Sequence, residues 1–353
     1  EMDQGQEALK GLKRMQTECI SPDAIIFTSI LKTWGKVRDI NKGKETHCVI
    51  HCMGLLEDDI MLGGALVDMY AKCGKLAMAR QVLEDLHVRN IICWSSLIAG
   101  YAQEKQGLKA LDCFACMQEE GISPNEVTFI SVLRACGSIN AVNTGKKIHK
   151  EILAKGLLKY NNIVLGNALV DMYAKCGIFM VAEQVFNDLP IRNTVSWNAL
   201  ISGYVKHDYC KKALDCHRKM SVDGLPSNAV TYICILRACG NSRAIIKGQE
   251  IHSEMSRNGM LERNLDVGCA LVAMYAQIGM LEKAHEVYED LFHQCGVGTP
   301  EVCNFLVSGY AEHGYCEEAL DYIEQMQSEG ISPDGRTFVC ALKAIGDLGI
   351  VDK

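Results

Sequence analysis

Apolar side chains in this chain recur at intervals of three and four, and the pattern restarts after each short break. In residues 163–193 the stretch "NALVDMYAKC" puts Ala168, Leu169, Met172 and Tyr173 on one side of a helix. Gly177 ends that run, and "FMVAEQVFNDL" then repeats the pattern with Val181, Ala182, Val185, Phe186 and Leu189 before Pro190. The spacing predicts two helices joined by a tight turn. All six prolines respect such hairpins: Pro22, Pro124, Pro190, Pro226 and Pro333 fall in the closing residues of one, and Pro300 opens another. No stretch shows the strict alternation of a strand.

The hairpins repeat. "ALVDMYAKCG" at 65–74 returns letter for letter at 168–177 and, loosely, as "ALVAMYAQIG" at 270–279. At the same offset "SLIAGYAQ" (96–103) aligns with "ALISGYVK" (199–206) and "FLVSGYAE" (305–312). Within this long period lie three related units of about 35, 36 and 31 residues, the range of stacked helical repeats. Each hairpin leaves an apolar face that only its neighbours can cover, so the expected fold is an all-α, right-handed superhelical solenoid.

Composition narrows the classes. The chain has 353 residues and 48% hydrophobic content, too apolar for disorder. It has no run of about eighteen apolar residues of the kind that crosses a membrane. Glu1 is not an initiator, and the opening lacks both a secretory signal and a transit-peptide bias, so the chain is expected to be a processed or truncated form. The eighteen cysteines sit among apolar neighbours, as in "LRACG" and "AKCGK", and read as reduced structural thiols. The net charge of −7 weighs against nucleic-acid binding.

Units such as "TVSWNALISGYVKHDYCKKALDCHRKMSVDGLPSN", with endings like "EEGISPN" and "SEGISPD", resemble pentatricopeptide repeats, and the alternation of lengths resembles the P-L-S subclass. The resemblance parses the chain into a partial P unit (1–23), L (24–59), S (60–90), P (91–125), L (126–162), S (163–193), P (194–228), L (229–264), S (265–299), P (300–334) and a partial L unit (335–353). It implies that each unit meets one base of single-stranded RNA through its fifth and last residues, with the second residue flanking the base.

Carried over on those terms, Ser95 with Asn125, flanked by Ile92, implies adenine. Asn167 with Asn193 beside Val164, and Asn198 with Asn228 beside Val195, imply pyrimidines. Asn304 with Asp334 implies uracil, although Glu301 stands where an apolar flank belongs, and Thr28 with Asp59 implies guanine. Gly64, Ile130, Ile233, Cys269 and Val339 leave other units without a polar fifth residue, and Asp266 and Arg336 replace the flank. The bland alternative is that the Asn, Ser and Asp residues only cap helices. Lys36, Lys72, Lys175 and Lys206, near the ends of first helices, are the candidate phosphate contacts.

Other motifs are explained by the repeat. "HCVIHC" sets His47 and His51 at zinc-like spacing, but His47 aligns with His149 and His252 in sister units. "CFAC" (113–116) has no second pair, and "HKE" (149–151) and "HSE" (252–254) lack the P-C-x-x-C that a deaminase needs. No enzyme activity, cofactor or metal is expected. Two readings remain: an RNA adaptor for editing, processing or stabilisation in a mitochondrion or plastid, with an editing enzyme in trans as a partner, or a solenoid scaffold that grips protein subunits of an organellar complex.

Overall fold

The computed structural model describes residues 11, 22–56, 59–158, 162–295, 300–328 and 330–347. Most of the partial unit 1–23, the extra residues near 296–299 and the last six residues therefore lie outside the described residues. Among those described, the secondary structure is entirely helical, as expected from the apolar spacing. The chain divides into two compact units, Glu1–Ile191 and Arg192–Lys353.

The first unit holds α1 (Ala24–Val37), α2 (Ile40–Cys52), α3 (Ile60–Lys72), α4 (Leu76–Asp85), α5 (Ile91–Gln103), α6 (Gly107–Glu119), α7 (Glu126–Ser138), α8 (Val142–Ala154), α9 (Ile163–Lys175) and α10 (Phe179–Asp188). The odd-numbered helices pack side by side in chain order, and each even-numbered helix lies against its own partner. The second unit follows the same plan with α11 (Thr194–Lys206), α12 (Cys210–Val222), α13 (Ala229–Ser242), α14 (Ile245–Arg257), the single turn α15 (Met260–Arg263), α16 (Leu265–Ile278), α17 (Leu281–Cys295), α18 (Pro300–Glu312), α19 (Cys316–Ser328) and α20 (Gly335–Asp347). Here α11, α13, α16, α18 and α20 form the inner row.

The inner-row helices are buried because their sequences are apolar almost all round. Leu62, Leu66, Met69, Leu97, Phe129, Leu169 and Met172 are fully buried in the first unit, and Ile201, Tyr232, Leu271 and Leu306 are buried in the second. A fully buried side chain of this size contributes about 1.5–3 kcal/mol. Each hairpin turn needs one residue in the left-handed region. Gly177 supplies it after α9 (φ 74°), whereas Arg38, Lys105, Asn140, Asp208 and Arg243 adopt it without being glycine.

Cys73, half-buried, and Cys176, buried, end α3 and α9 with their thiols toward the carbonyls of Trp34 and Cys136. The repeated histidines have a structural role: Nδ1 of His47, His149 and His252 lies 2.9, 3.0 and 2.8 Å from the hydroxyls of Tyr70, Tyr173 and Tyr275. In each pair the rings meet edge-on with centroids 5.6 Å apart.

Two predictions follow from this packing. A Cβ on Gly309 would lie 2.8 Å from the Cβ of Ala276, which cannot rotate away. Gly309→Ala should therefore lower stability by about 1–3 kcal/mol despite alanine's better helix propensity, as read from chemical denaturation.

Burial holds the pKa of His47, His149 and His252 below the ordinary histidine value of 6.5. The fold thus favours the neutral imidazole, so its contribution is complete above that value and is lost as pH falls through the lowered folded values. The melting temperature should drop between about pH 7 and pH 5. A variant carrying His→Gln at all three positions should show a flatter profile over that window.

Candidate nucleic-acid interface

The free N–H groups at the start of each inner-row helix decide what the neighbouring polar residues can do. Asn125 precedes α7, and its Oδ1 accepts from the backbone N of Thr128 at 2.9 Å and from the Thr128 hydroxyl at 2.8 Å. Asn228 caps α13 in the same way, accepting from Thr231 N at 3.0 Å, and Asn193 caps α11 through Ser196 N at 3.0 Å. The terminal residue of each of these units is therefore a helix cap. Capping uses only the carbonyl oxygen, and among the described residues the side-chain hydrogen bonds of Asn125 and Asn228 are all made at Oδ1.

The fifth residues do not cap their own helices. Ser95 and Asn198 are only 6% and 8% exposed, and they turn toward the cap of the next inner helix. Ser95 Oγ lies 2.7 Å from Thr128 Oγ1. Asn198 donates through Nδ2 to Asn228 Oδ1 at 3.0 Å and accepts at Oδ1 from the Thr231 hydroxyl at 2.8 Å. The structure thus brings Ser95 together with Asn125, and Asn198 with Asn228, through a buried hydroxyl that the sequence reading overlooked. The signal was present as an Asn-x-x-Thr spacing at the helix start.

Asn304 and Asp334 are joined similarly. The Thr337 hydroxyl donates to Asn304 Oδ1, and Asp334 Oδ1 accepts from the backbone N of Arg336 at 2.8 Å and of Thr337 at 3.0 Å. Those contacts, led by the Thr337 amide, hold the Asp334 carboxyl below its ordinary range. Asn304 Nδ2 is buried without a hydrogen bond of good geometry, although it lies close enough to Asp334 to help lower that pKa.

Thr28 and Asp59 differ. Asp59 caps α3 by accepting from Met61 N and Leu62 N, and no hydrogen bond joins it to the half-buried Thr28. Asn167 is buried in the first unit and Asn193 belongs to the second.

The second residues point outward. Ile92, Val164 and Val195 are 40%, 60% and 57% exposed, and Val127 and Val230 of the neighbouring units are similarly bare. Between α3, α5 and α7, Ile92 and Val127 help to form a groove of about 410 Å³. Ile92 and Val127 supply apolar walls, Ser95 and Asn125 supply polar groups, and Lys72 and Gln103 also line it. The volume lies in the range of small-ligand sites.

Models of the PPR repeat and the PPR repeat family match residues 64–138, 192–260, 269–293 and 301–331 between them. The chain is a pentatricopeptide repeat protein. A chloroplastic pentatricopeptide repeat-containing protein of Arabidopsis thaliana is 35% identical over 93% of this chain, which covers 52% of that relative. A mitochondrial one from the same plant is 32% identical over 96% of this chain and 32% of its own length. The chain spans about half the length of the curated relatives it matches first.

The pentatricopeptide repeat protein PPR10, crystallised with an 18-nucleotide psaJ RNA element, superposes over 97% of this chain and 55% of its own with a TM-score of 0.68 at 16% identity. A second crystal structure, of PPR10 from maize, superposes over 98% of this chain and 61% of its own with a TM-score of 0.54 at 15% identity. These likenesses establish the repeat fold.

The lysines of this pentatricopeptide repeat protein are less available than their spacing suggests. Lys175 pairs with Asp171 at 2.7 Å and Lys72 with Asp68, each one turn earlier on the same helix. Asp68 also accepts from Ser96 Oγ at 3.1 Å. Lys36 and Lys206 are exposed near the ends of α1 and α11. No helix of the described residues is long and apolar enough to cross a membrane.

Proposed function

We propose that this chain binds single-stranded RNA, one base to each polar pair, within the P, L and S register set out above. The observation that carries the reading is the groove at Ser95 and Asn125, where two exposed apolar side chains flank polar groups whose remaining hydrogen-bonding capacity faces outward. Apolar walls suit the faces of a base, and the polar edge suits its hydrogen-bonding atoms. The likeness to PPR10, whose crystal structure holds RNA, supports it.

The central register is then 5′-A-N-C-Y, with the L unit at 126–162 passing over a base. Relatives named chloroplastic and mitochondrial support an organellar setting. A role in editing, processing or stabilisation would draw its catalysis from a partner.

A second reading, a scaffold for organellar protein subunits, draws on the net charge of −7 and on the aspartates that hold Lys72 and Lys175. Phosphate neutralisation supplies much of the affinity of nucleic-acid binders, and these pairs diminish it.

Asn125→Asp separates the readings without unfolding the site, because aspartate caps a helix as well as asparagine does. The substitution replaces the outward-facing amide by a second acceptor oxygen. Preference at that base should move from adenine toward guanine by about 1–3 kcal/mol, measured by gel shift on RNAs differing at one position. Lys175→Ala should instead weaken all RNAs alike and flatten the salt dependence. No affinity above a polyanion control at low salt, or an unchanged base preference in Asn125→Asp, would leave the scaffold reading in its place.

A further inference from the structure

A hydroxyl group has one hydrogen to give, and at the polar pairs that limit has consequences. The Thr128 hydroxyl donates to Asn125 Oδ1, so its oxygen is left to accept from Ser95. Ser95 spends its hydrogen there and shows only lone pairs to the groove. Asn125, its carbonyl oxygen occupied by the cap, shows only amide hydrogens. The edge presented is one acceptor beside one donor, the complement of the amino group and ring nitrogen of adenine.

At the next described pair the same hydroxyl gives a different face. Asn228 Oδ1 must accept, since it caps α13, and this directs Asn198 Nδ2 toward it and Asn198 Oδ1 toward the Thr231 hydroxyl, whose hydrogen goes to that nearer oxygen at 2.8 Å and not to Asn228 Oδ1 at 3.0 Å. The hydrogens left on both amides make an edge of donors alone. That suits the acceptor ring nitrogen and carbonyl oxygen of cytosine, or a carbonyl oxygen of uracil. At the third pair Thr337 donates to Asn304 Oδ1, and Asn304 Nδ2 is buried close to Asp334, so the carboxylate of Asp334 is the exposed part of the pair. An acceptor there suits the ring N–H of uracil.

We infer that Thr128, Thr231 and Thr337 are positioning residues that set base specificity: each third-residue hydroxyl fixes which hydrogen-bonding polarity the preceding unit shows to RNA. This rests on the RNA reading above. All three threonines are fully buried.

The chain's own pattern agrees. A hydroxyl stands at this place after each polar fifth residue Ser95, Asn167, Asn198 and Asn304, as Thr128, Ser196, Thr231 and Thr337. After Gly64, Ile130, Ile233 and Cys269 stand Cys93, Leu165, Val267 and Val302. Thr28 is the exception, followed by Leu62, which has no hydroxyl to offer.

Thr128→Val tests the inference, because valine keeps the shape and the backbone N–H that Asn125 caps. RNAs carrying A, G, C or U at the base assigned to Ser95 and Asn125 are titrated against the wild-type chain, Thr128→Val and Thr128→Ser. Wild type should prefer adenine to guanine by about tenfold or more, and Thr128→Val should bring that ratio below about threefold, because Ser95 is then free to donate or accept. Thr128→Ser should restore the ratio.

A purely structural role predicts equal loss for all four RNAs, and that result, or an unchanged ratio in Thr128→Val, overturns the inference. If Thr128→Val does not melt cooperatively, Thr231→Val supplies the same test through loss of pyrimidine preference over adenine at its own base. If Asn125→Asp shifts preference while Thr128→Val does not, the hydroxyl role fails alone. If wild type binds no RNA above a polyanion, both readings fail together.

Discussion

The unsatisfied N–H groups at the start of each buried inner helix are the constraint on which the rest of the structure depends. A helix that begins against its neighbours needs a side-chain acceptor at its cap, and an unmade bond there costs about 1–3 kcal/mol. Asp59, Asn90, Asn125, Asn162, Asn193, Asn228 and Asn264 supply that acceptor along the chain. The cap fixes where each hairpin begins, and it also fixes the orientation of the residue offered to the groove. Capping and the base reading proposed above thus fall to different atoms of the same side chain. The two explanations that the residue pattern leaves open turn out to be compatible.

Much of the fold was legible because its driving force is periodic. Leu169, Met172 and Tyr173 are buried where their spacing puts them, and Ala182 and Phe186 cover them from the next helix. The left-handed turns at Arg38, Lys105 and Arg243 were not legible, since those residue types do not announce a positive φ as Asn140 and Asp208 do. At the site, the exposure of Ile92, Val164 and Val195 follows from their place on the outward face of each helix start. The threonines were missed because a hydroxyl three residues after a capping Asn already has a local explanation. Only the Ser95–Thr128, Asn198–Thr231 and Asn304–Thr337 bonds show that it reaches across to another repeat.

The electrostatic picture is more restrained than the list of lysines implies. Asp68 and Asp171 neutralise two of the four candidate phosphate contacts through pairs within one helix. These partly exposed pairs are worth little to stability, about 0.3–0.5 kcal/mol each, but they reduce the positive potential along the inner row. In the function proposed above, selectivity is then carried more by the buried polar pairs than by charge. Units with Gly64, Ile130 or Ile233 at the fifth place keep the stacking without offering a polar edge.

The most direct test of the account is selection of binders by the purified chain from a pool of random-sequence RNA, followed by sequencing. The account predicts enrichment of adenine, any base, cytosine and a pyrimidine in consecutive positions, read 5′ to 3′. A flat base distribution among the retained RNAs, or enrichment that follows only length and charge, would contradict it.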